Sequence, residues 1–283
     1  MARLSIDSIA RETANEVRAH FTAFATLTAA FVFLPGLIFA LAVPPSMRDF
    51  HMPAPGTMPT LPGWFWAAAL AAILLQSLVT LTIAAIAGDP ARPGHETVGA
   101  TLARMLPALL RYLGALVVLF VAYLLLLIPV TLILVAVTVA FGAVGGKAIT
   151  SNPQAFVVLL ALLLLPALLW LGARLSPMVG VFAAEGSGPV SGIRRAWRLS
   201  RGAGWRIALL IVLTSLAAIL VALVASGITG AIGSLVALGG AIGAARLLVT
   251  IASGVANGLL FILFSAGLGV IYRQLRAAPP VTS

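Results

Sequence analysis

Six apolar segments, each long enough to cross a bilayer, constrain this chain more than any other feature of its sequence. A helix of about 20 apolar residues spans the hydrocarbon core of a membrane. The chain is 61% hydrophobic and only 8% charged, far from the roughly 25% charge of soluble proteins. The sequence therefore predicts an all-α, polytopic membrane protein. Its predicted parts are a leader at 1-20, six spans at about 21-42, 63-87, 112-144, 155-175, 205-225 and 246-272 within a transmembrane domain at 21-276, and a tail at 277-283.

Several segments leave alternatives open. Residues 112-144 exceed one crossing and contain Pro129, so they form either one kinked helix, which we favour, or a span with an interfacial extension. Residues 226-245 are apolar but dense in glycine, and fit a loop, a re-entrant segment or continued helix. The proline-rich residues 44-62 predict an external loop. Ala40 and Ala42 resemble a signal-peptidase site, but the acidic leader and the long apolar run favour a retained span.

The basic residues are distributed unevenly across the predicted membrane. In the six-span topology, 14 of the 17 basic residues lie on one side, and Arg48, Lys147 and Arg246 lie on the other. Because basic loops are retained in the cytoplasm, both termini are predicted to be cytoplasmic. The charges lie in short loops between spans rather than in one patch, which argues against nucleic acid as a partner despite the formal net charge of +10.

The segment Glu185 to Arg206 is the most arginine-rich part of the chain. Ser187 is predicted to cap a helix that has Pro189 in its first turn. At helical spacing the apolar residues fall on one face and the arginines on another: Val190, Ile193 and Trp197 against Arg194, Arg198 and Arg201. This pattern predicts an amphipathic helix lying in the membrane interface. Glu185 is expected to pair with Arg174 or to act electrostatically on the start of the helix.

Two further amphipathic helices are predicted, one in the leader and one at 97-111. Each of the three helices carries two arginines seven residues apart, which places both on one face: Arg11 with Arg18, Arg104 with Arg111, and Arg194 with Arg201. The order of surface helix, span, external loop and span also recurs three times. We therefore predict a threefold pseudo-repeat of helical hairpins.

A motif in the arginine segment resembles a known family. It reads E-x-x-G-P, then R-R-x-W-x-L-S-x-G, then W-R, in Glu185, Gly188, Pro189, Arg194, Arg195, Trp197, Leu199, Ser200, Gly202, Trp205 and Arg206. This pattern is similar to that of the bacterial family named for the membrane domain of glycerophosphoryl diester phosphodiesterases. The resemblance implies a six-helix protein of the bacterial inner membrane, without the phosphodiesterase activity, which belongs to a separate soluble domain. Gly192, Ala196 and Gly204 depart from the pattern, which predicts looser packing of the helix.

The sequence offers little for catalysis or metal binding. The chain has no cysteine, its three histidines, His20, His51 and His95, lie in different segments, and its seven acidic residues are scattered. It contains no phosphate-binding loop of the Walker type and no H-E-x-x-H spacing. We therefore predict no catalytic residue, no metal site, no cofactor and no enzymatic activity.

Three functional hypotheses remain. The leading hypothesis is binding of anionic phospholipid headgroups, in lipid handling or envelope organisation, by the arginines of the surface helices: Arg194, Arg195, Arg198, Arg201, Arg206, Arg104 and Arg111. The first alternative is a transporter or channel for small solutes, in which the intramembrane Gln76 and Asn257 line a cavity. The second alternative is a structural partner in a membrane complex, which would use the G-x-x-x-G pair Gly254 and Gly258 for close helix packing.

Overall fold

The computed structural model describes residues 5–42, 63–88, 98–143 and 153–277. These residues form helices and no strand, and six of the helices are long and apolar enough to cross a membrane. The prediction of an all-α protein with six potential membrane spans is therefore confirmed. The external loop predicted at 44-62 and nearly all of the predicted tail lie outside the described residues.

The helices are numbered in chain order. They are α1 (Ile6–Ala19), α2 (Phe21–Thr28), which continues through a π-helical turn (Ala29–Phe33) into α3 (Leu34–Ala42), α4 (Gly63–Gly88), α5 (Val98–Ala143), α6 (Pro153–Leu175), α7 (Met178–Glu185), α8 (Pro189–Leu199), α9 (Gly204–Leu238) and α10 (Ile242–Ala277). The first span consists of α2, the π-helical turn and α3.

Helix α5 joins two elements that the sequence analysis treats as separate. The surface helix predicted at 97-111 and the span predicted at 112-144 form one helix of 46 residues that continues through Pro107 and Pro129. Its length of about 69 Å is more than twice the roughly 30 Å of the hydrocarbon core. The helix can continue through both prolines because each removes only one backbone donor, and because an apolar surrounding gives the flanking peptide groups no partner other than the helix itself.

The glycine-dense segment is mostly helical. Helix α9 continues to Leu238, a turn follows, and α10 begins at Ile242, so the loop and re-entrant alternatives are wrong for residues 226-238. The turn contains Gly240 at φ +82°, a left-handed conformation that glycine adopts without steric cost. Spans five and six are therefore a hairpin of helices with 35 and 36 residues, longer at both ends than predicted.

Helices α4 and α10 form the centre of the bundle, and small residues let their backbones approach each other. A Cβ added to Gly269 would lie 2.5 Å from the carbonyl oxygen of Ala84, and one added to Gly88 would lie 3.4 Å from the carbonyl oxygen of Gly269. Buried side chains of the first span and of α1, α5, α6, α7, α8 and α9 complete two apolar clusters around this pair. The four-residue spacings Ala84–Gly88 and Ser265–Gly269 are the small-residue pattern typical of close helix packing in membranes.

The predicted G-x-x-x-G pair packs inside the chain. A Cβ on Gly254 would meet the Phe33 ring at 2.5 Å, and one on Gly258 would meet the Thr28 methyl group at 3.4 Å. Both glycines therefore face the first span. These contacts use the pair for packing within the chain, and the structural-partner alternative stays a prediction.

Both terminal helices meet at one end of the bundle. The guanidinium group of Arg273, near the end of α10, donates to Glu16 at 2.7 Å and to Glu12 at 2.8 Å on α1, and to the carbonyl oxygen of Ala87 at 3.1 Å. We call this end, where Arg273, Arg111 and Arg195 make their contacts, the arginine end.

The threefold repeat stays a prediction. Its three units begin differently in the structure. Helix α1 ends at a turn before α2, α5 runs without interruption, and α8 is separated from α9 by the turn at residues 200-203.

Candidate functional sites: an arginine surface and an intramembrane cavity

The turn between α7 and α8 sets the position of the arginine helix. Gly186 has a φ of 58°, and the helix starts after Gly188 with Pro189 as its first residue. The prediction that Ser187 caps the helix is wrong. The left-handed Gly186 moves the cap one residue onward, so Gly188 occupies it without a side-chain hydrogen bond, while Ser191 Oγ donates to the Gly188 carbonyl oxygen at 3.0 Å.

Glu185 joins three helices. It accepts a hydrogen bond from the Tyr272 hydroxyl of α10 at 3.0 Å, and Arg195 Nε of α8 lies 3.2 Å from its Oε2. Arg111 of α5 donates to the Gly186 carbonyl oxygen at 2.7 Å. Two of the seven candidate headgroup residues therefore hold the turn in place. Arg104 is exposed and also interacts within the protein.

The predicted pairing of Glu185 with Arg174 is wrong. The Arg174 guanidinium instead lies over two indole rings, 5.0 Å from the centroid of Trp170 and 5.1 Å from that of Trp197. Indole faces attract cations electrostatically. Glu185 ends α7 and faces the side of α8, which brings Arg195 rather than Arg174 to its carboxylate.

Helix α8 packs through its small residues. Gly192 and Ala196 are buried, and a Cβ on Gly192 would collide with the Phe182 ring of α7. The looser packing predicted at these positions is wrong at Gly192, because the missing side chain lets the Phe182 ring fill the space. Of the predicted apolar face, Val190 and Trp197 remain exposed at 57% and 37% of their surfaces.

Four arginines around the end of α8 form what we call the arginine surface: Arg194, Arg198, Arg201 and Arg206. All four are exposed, and within the described part of the chain none of them forms an ion pair or a side-chain hydrogen bond. Trp205 lies next to them with 77% of its surface exposed. Exposed tryptophan beside arginine is typical of a helix at the membrane interface.

The second candidate site is an open cavity of about 980 Å³ between the first span and α9. Residues of α10 line it between these two elements. Gln76 of α4 and Asn257 of α10 both line it, so the structure brings the two predicted intramembrane polar residues together. Their side-chain amides make no hydrogen bond to any residue that the structure describes. No ionisable side chain is among the lining residues.

Sequence reasoning missed the other polar residues of the cavity, which are Thr214, Ser215, Thr250 and Ser253. The two on α10 could have been found from their spacing in the sequence. Thr250 and Ser253 precede Asn257 by seven and four residues, a spacing that places all three on one helix face.

A smaller apolar groove of about 230 Å³ continues the cavity toward the arginine end. It lies between α1, α9 and α10, and it shares Thr214, Leu263 and Phe264 with the larger cavity. Together the two extend along α10 from Val249 to Ile271, a rise of about 33 Å. This is close to the thickness of the hydrocarbon core.

The six long apolar helices identify the chain as a multi-pass helical membrane protein. No cluster of three or more His, Asp or Glu side chains that would hold a metal occurs among the described residues. Comparisons with family models, curated proteins and solved structures gave no match to the chain. The family resemblance therefore rests on the arginine motif.

Proposed function

We propose that the chain is a non-enzymatic protein of the bacterial inner membrane that binds anionic phospholipid headgroups, with a role in lipid handling or envelope organisation. The observation that carries the proposal is the arginine surface, a group of exposed guanidiniums without a counter-ion among the described residues. Each basic residue at an anionic membrane surface contributes about 1 kcal/mol of attraction. The arginine end faces the cytoplasm in this proposal.

Two of the candidate arginines have a different role in this proposal. Arg111 and Arg195 hold the turn before α8, so we assign them to positioning the surface rather than to binding lipid. The simpler interpretation is that the arginines only fix topology. Topology requires positive charge alone, whereas headgroup binding also uses the planar fork of guanidinium, which matches phosphate in two hydrogen bonds and which lysine lacks.

Changing Arg194, Arg198, Arg201 and Arg206 together to glutamine is expected to weaken binding of phosphatidylglycerol by roughly 10-fold or more, because hydrogen bonds from guanidinium groups to the charged phosphate are removed. Native mass spectrometry of the solubilised protein, titrated with the lipid, measures this change. Changing the same four residues to lysine is expected to preserve insertion and to retain only part of the affinity.

A control, which removes one charge fewer than the test variant, replaces three other exposed arginines without a described ion pair: Arg11, Arg18 and Arg276. This variant should bind phosphatidylglycerol nearly as well as the original protein. If both sets of glutamine substitutions lower binding equally, or neither does, the arginine surface is a topology signal only. Single-cysteine labelling from each side of the membrane checks topology, and the chain contains no cysteine that would interfere.

A second candidate function is transport of a small uncharged solute, favoured by the convergence of Gln76 and Asn257 on one cavity. Proteoliposomes are then expected to take up glycerol faster than empty liposomes, and Q76L/N257L should slow the uptake roughly tenfold because two amide partners are lost. Stopped-flow light scattering measures the rate. Thr131→Val, which changes an exposed hydroxyl bonded to its own helix, serves as the control. Uptake equal to that of empty liposomes would exclude this function.

A further inference from the structure

The chemistry of the cavity restricts what it can hold. Its polar lining consists of two side-chain amides and four hydroxyls, and none of its lining side chains is ionisable. Taking a charged group out of water without a counter-charge costs far more than taking out a neutral hydrogen-bonding group. The cavity therefore suits a molecule with uncharged hydrogen-bonding groups, in contrast to the arginine surface, which suits an anion.

The walls and size of the cavity indicate a lipid rather than a small water-soluble molecule. Most of its lining residues are apolar or glycine, and its volume of about 980 Å³ is at the upper end of the range for sites that hold drug-sized ligands. All lining residues come from the first span, α4, α9 and α10, and the cavity is open rather than enclosed. The apolar groove beside α1 continues from it and offers space for a hydrocarbon chain.

We propose that this cavity binds a membrane lipid with an uncharged, hydrogen-bonding head, of the diacylglycerol type. The amides of Gln76 and Asn257 and the hydroxyl of Ser253 bind the hydroxyl and ester groups of the head. One acyl chain lies along α10 in the apolar groove. The inference rests on the cavity being a binding site, as the second candidate function does, and is independent of lipid binding at the arginine surface.

The test is photocrosslinking of a diazirine-bearing diacylglycerol to the full-length protein in proteoliposomes. Crosslinks are expected on residues that line the cavity and the groove, and unlabelled diacylglycerol should compete for them. Q76L/N257L is expected to reduce crosslinking roughly tenfold through loss of hydrogen bonds to the head. Because that variant could misfold, a second one, Ala217→Phe, places an aromatic ring in the cavity from its exposed α9 wall and should also reduce crosslinking.

The control is Thr229→Val on α9, which removes a hydroxyl bonded to its own helix outside the cavity and should leave crosslinking unchanged. Crosslinking that persists in both cavity variants would overturn the proposal. Equal competition by phosphatidylglycerol would show that the head need not be uncharged, and competition by glycerol would assign the cavity to a small solute. Loss of phosphatidylglycerol binding in the four-arginine variant, with crosslinking intact, would show that the two sites are separate.

Discussion

Replacing Gly269 with valine is expected to destabilise the protein by about 3 kcal/mol or more. A Cβ at this position would lie 2.5 Å from the carbonyl oxygen of Ala84 and 3.1 Å from the Ala84 Cα atom. Both contacts are with backbone, which cannot rotate away as a side chain can, so α4 and α10 would have to separate. Because most of the core packs around these two helices, their separation should weaken packing in both apolar clusters.

The effect of Gly269→Val is measured as the loss of folded protein on heating, by size-exclusion chromatography in detergent. Gly243→Val is the control, because Gly243 lies in the same helix and a Cβ added there would meet no described atom of another helix within 4 Å. The control carries the same change in side-chain size and hydrophobicity. Equal melting temperatures for the two variants would show that the approach of α4 to α10 does not limit stability.

The spans were predictable because membrane insertion depends on the apolar content of a segment, which sequence displays directly. The extent of the helices was less predictable. Glycines between 226 and 238 suggest a loop by the propensities of soluble proteins, but an apolar surrounding favours continued helix because it offers peptide groups no other partner. Helix α7 was missed because all of its residues before the terminal Glu185 are apolar or glycine and show no amphipathic period that would distinguish a buried helix from the end of a span.

The sequence indicates which residues of the candidate sites stand out, but not which other residues they contact. Gln76 and Asn257 are conspicuous in apolar segments, yet only the fold shows that residues 181 positions apart in sequence face one cavity. The partners of Glu185 depend on the left-handed turn at Gly186, which no local pattern specifies for a glycine in the sequence G-S-G. Tyr272 lies 87 residues further along the chain, so its hydrogen bond to this carboxylate could not be predicted from local sequence either.

Changing Arg273 to glutamine is expected to release α1 from the arginine end. Arg273 bonds Glu12, Glu16 and the Ala87 carbonyl oxygen, so its loss leaves two neighbouring carboxylates without their cation. A hydrogen bond to a charged group contributes about 1.5 to 3 kcal/mol, and half-exposed groups lie at the lower end. Amide hydrogen exchange in α1 should therefore accelerate by roughly 10-fold or more.

Arg276→Gln provides the control that separates this network from general loss of positive charge. Arg276 lies three residues further along α10, is exposed, and forms no ion pair with a described residue. The Arg276→Gln substitution removes the same charge from the same helix end. Amide exchange in α1 should therefore stay unchanged in this variant if the effect depends on the contacts of Arg273. Faster exchange in both variants would instead show that net charge holds α1 in place. Because α1 forms one wall of the apolar groove, release of α1 by Arg273→Gln should also lower diacylglycerol crosslinking to residues of that groove.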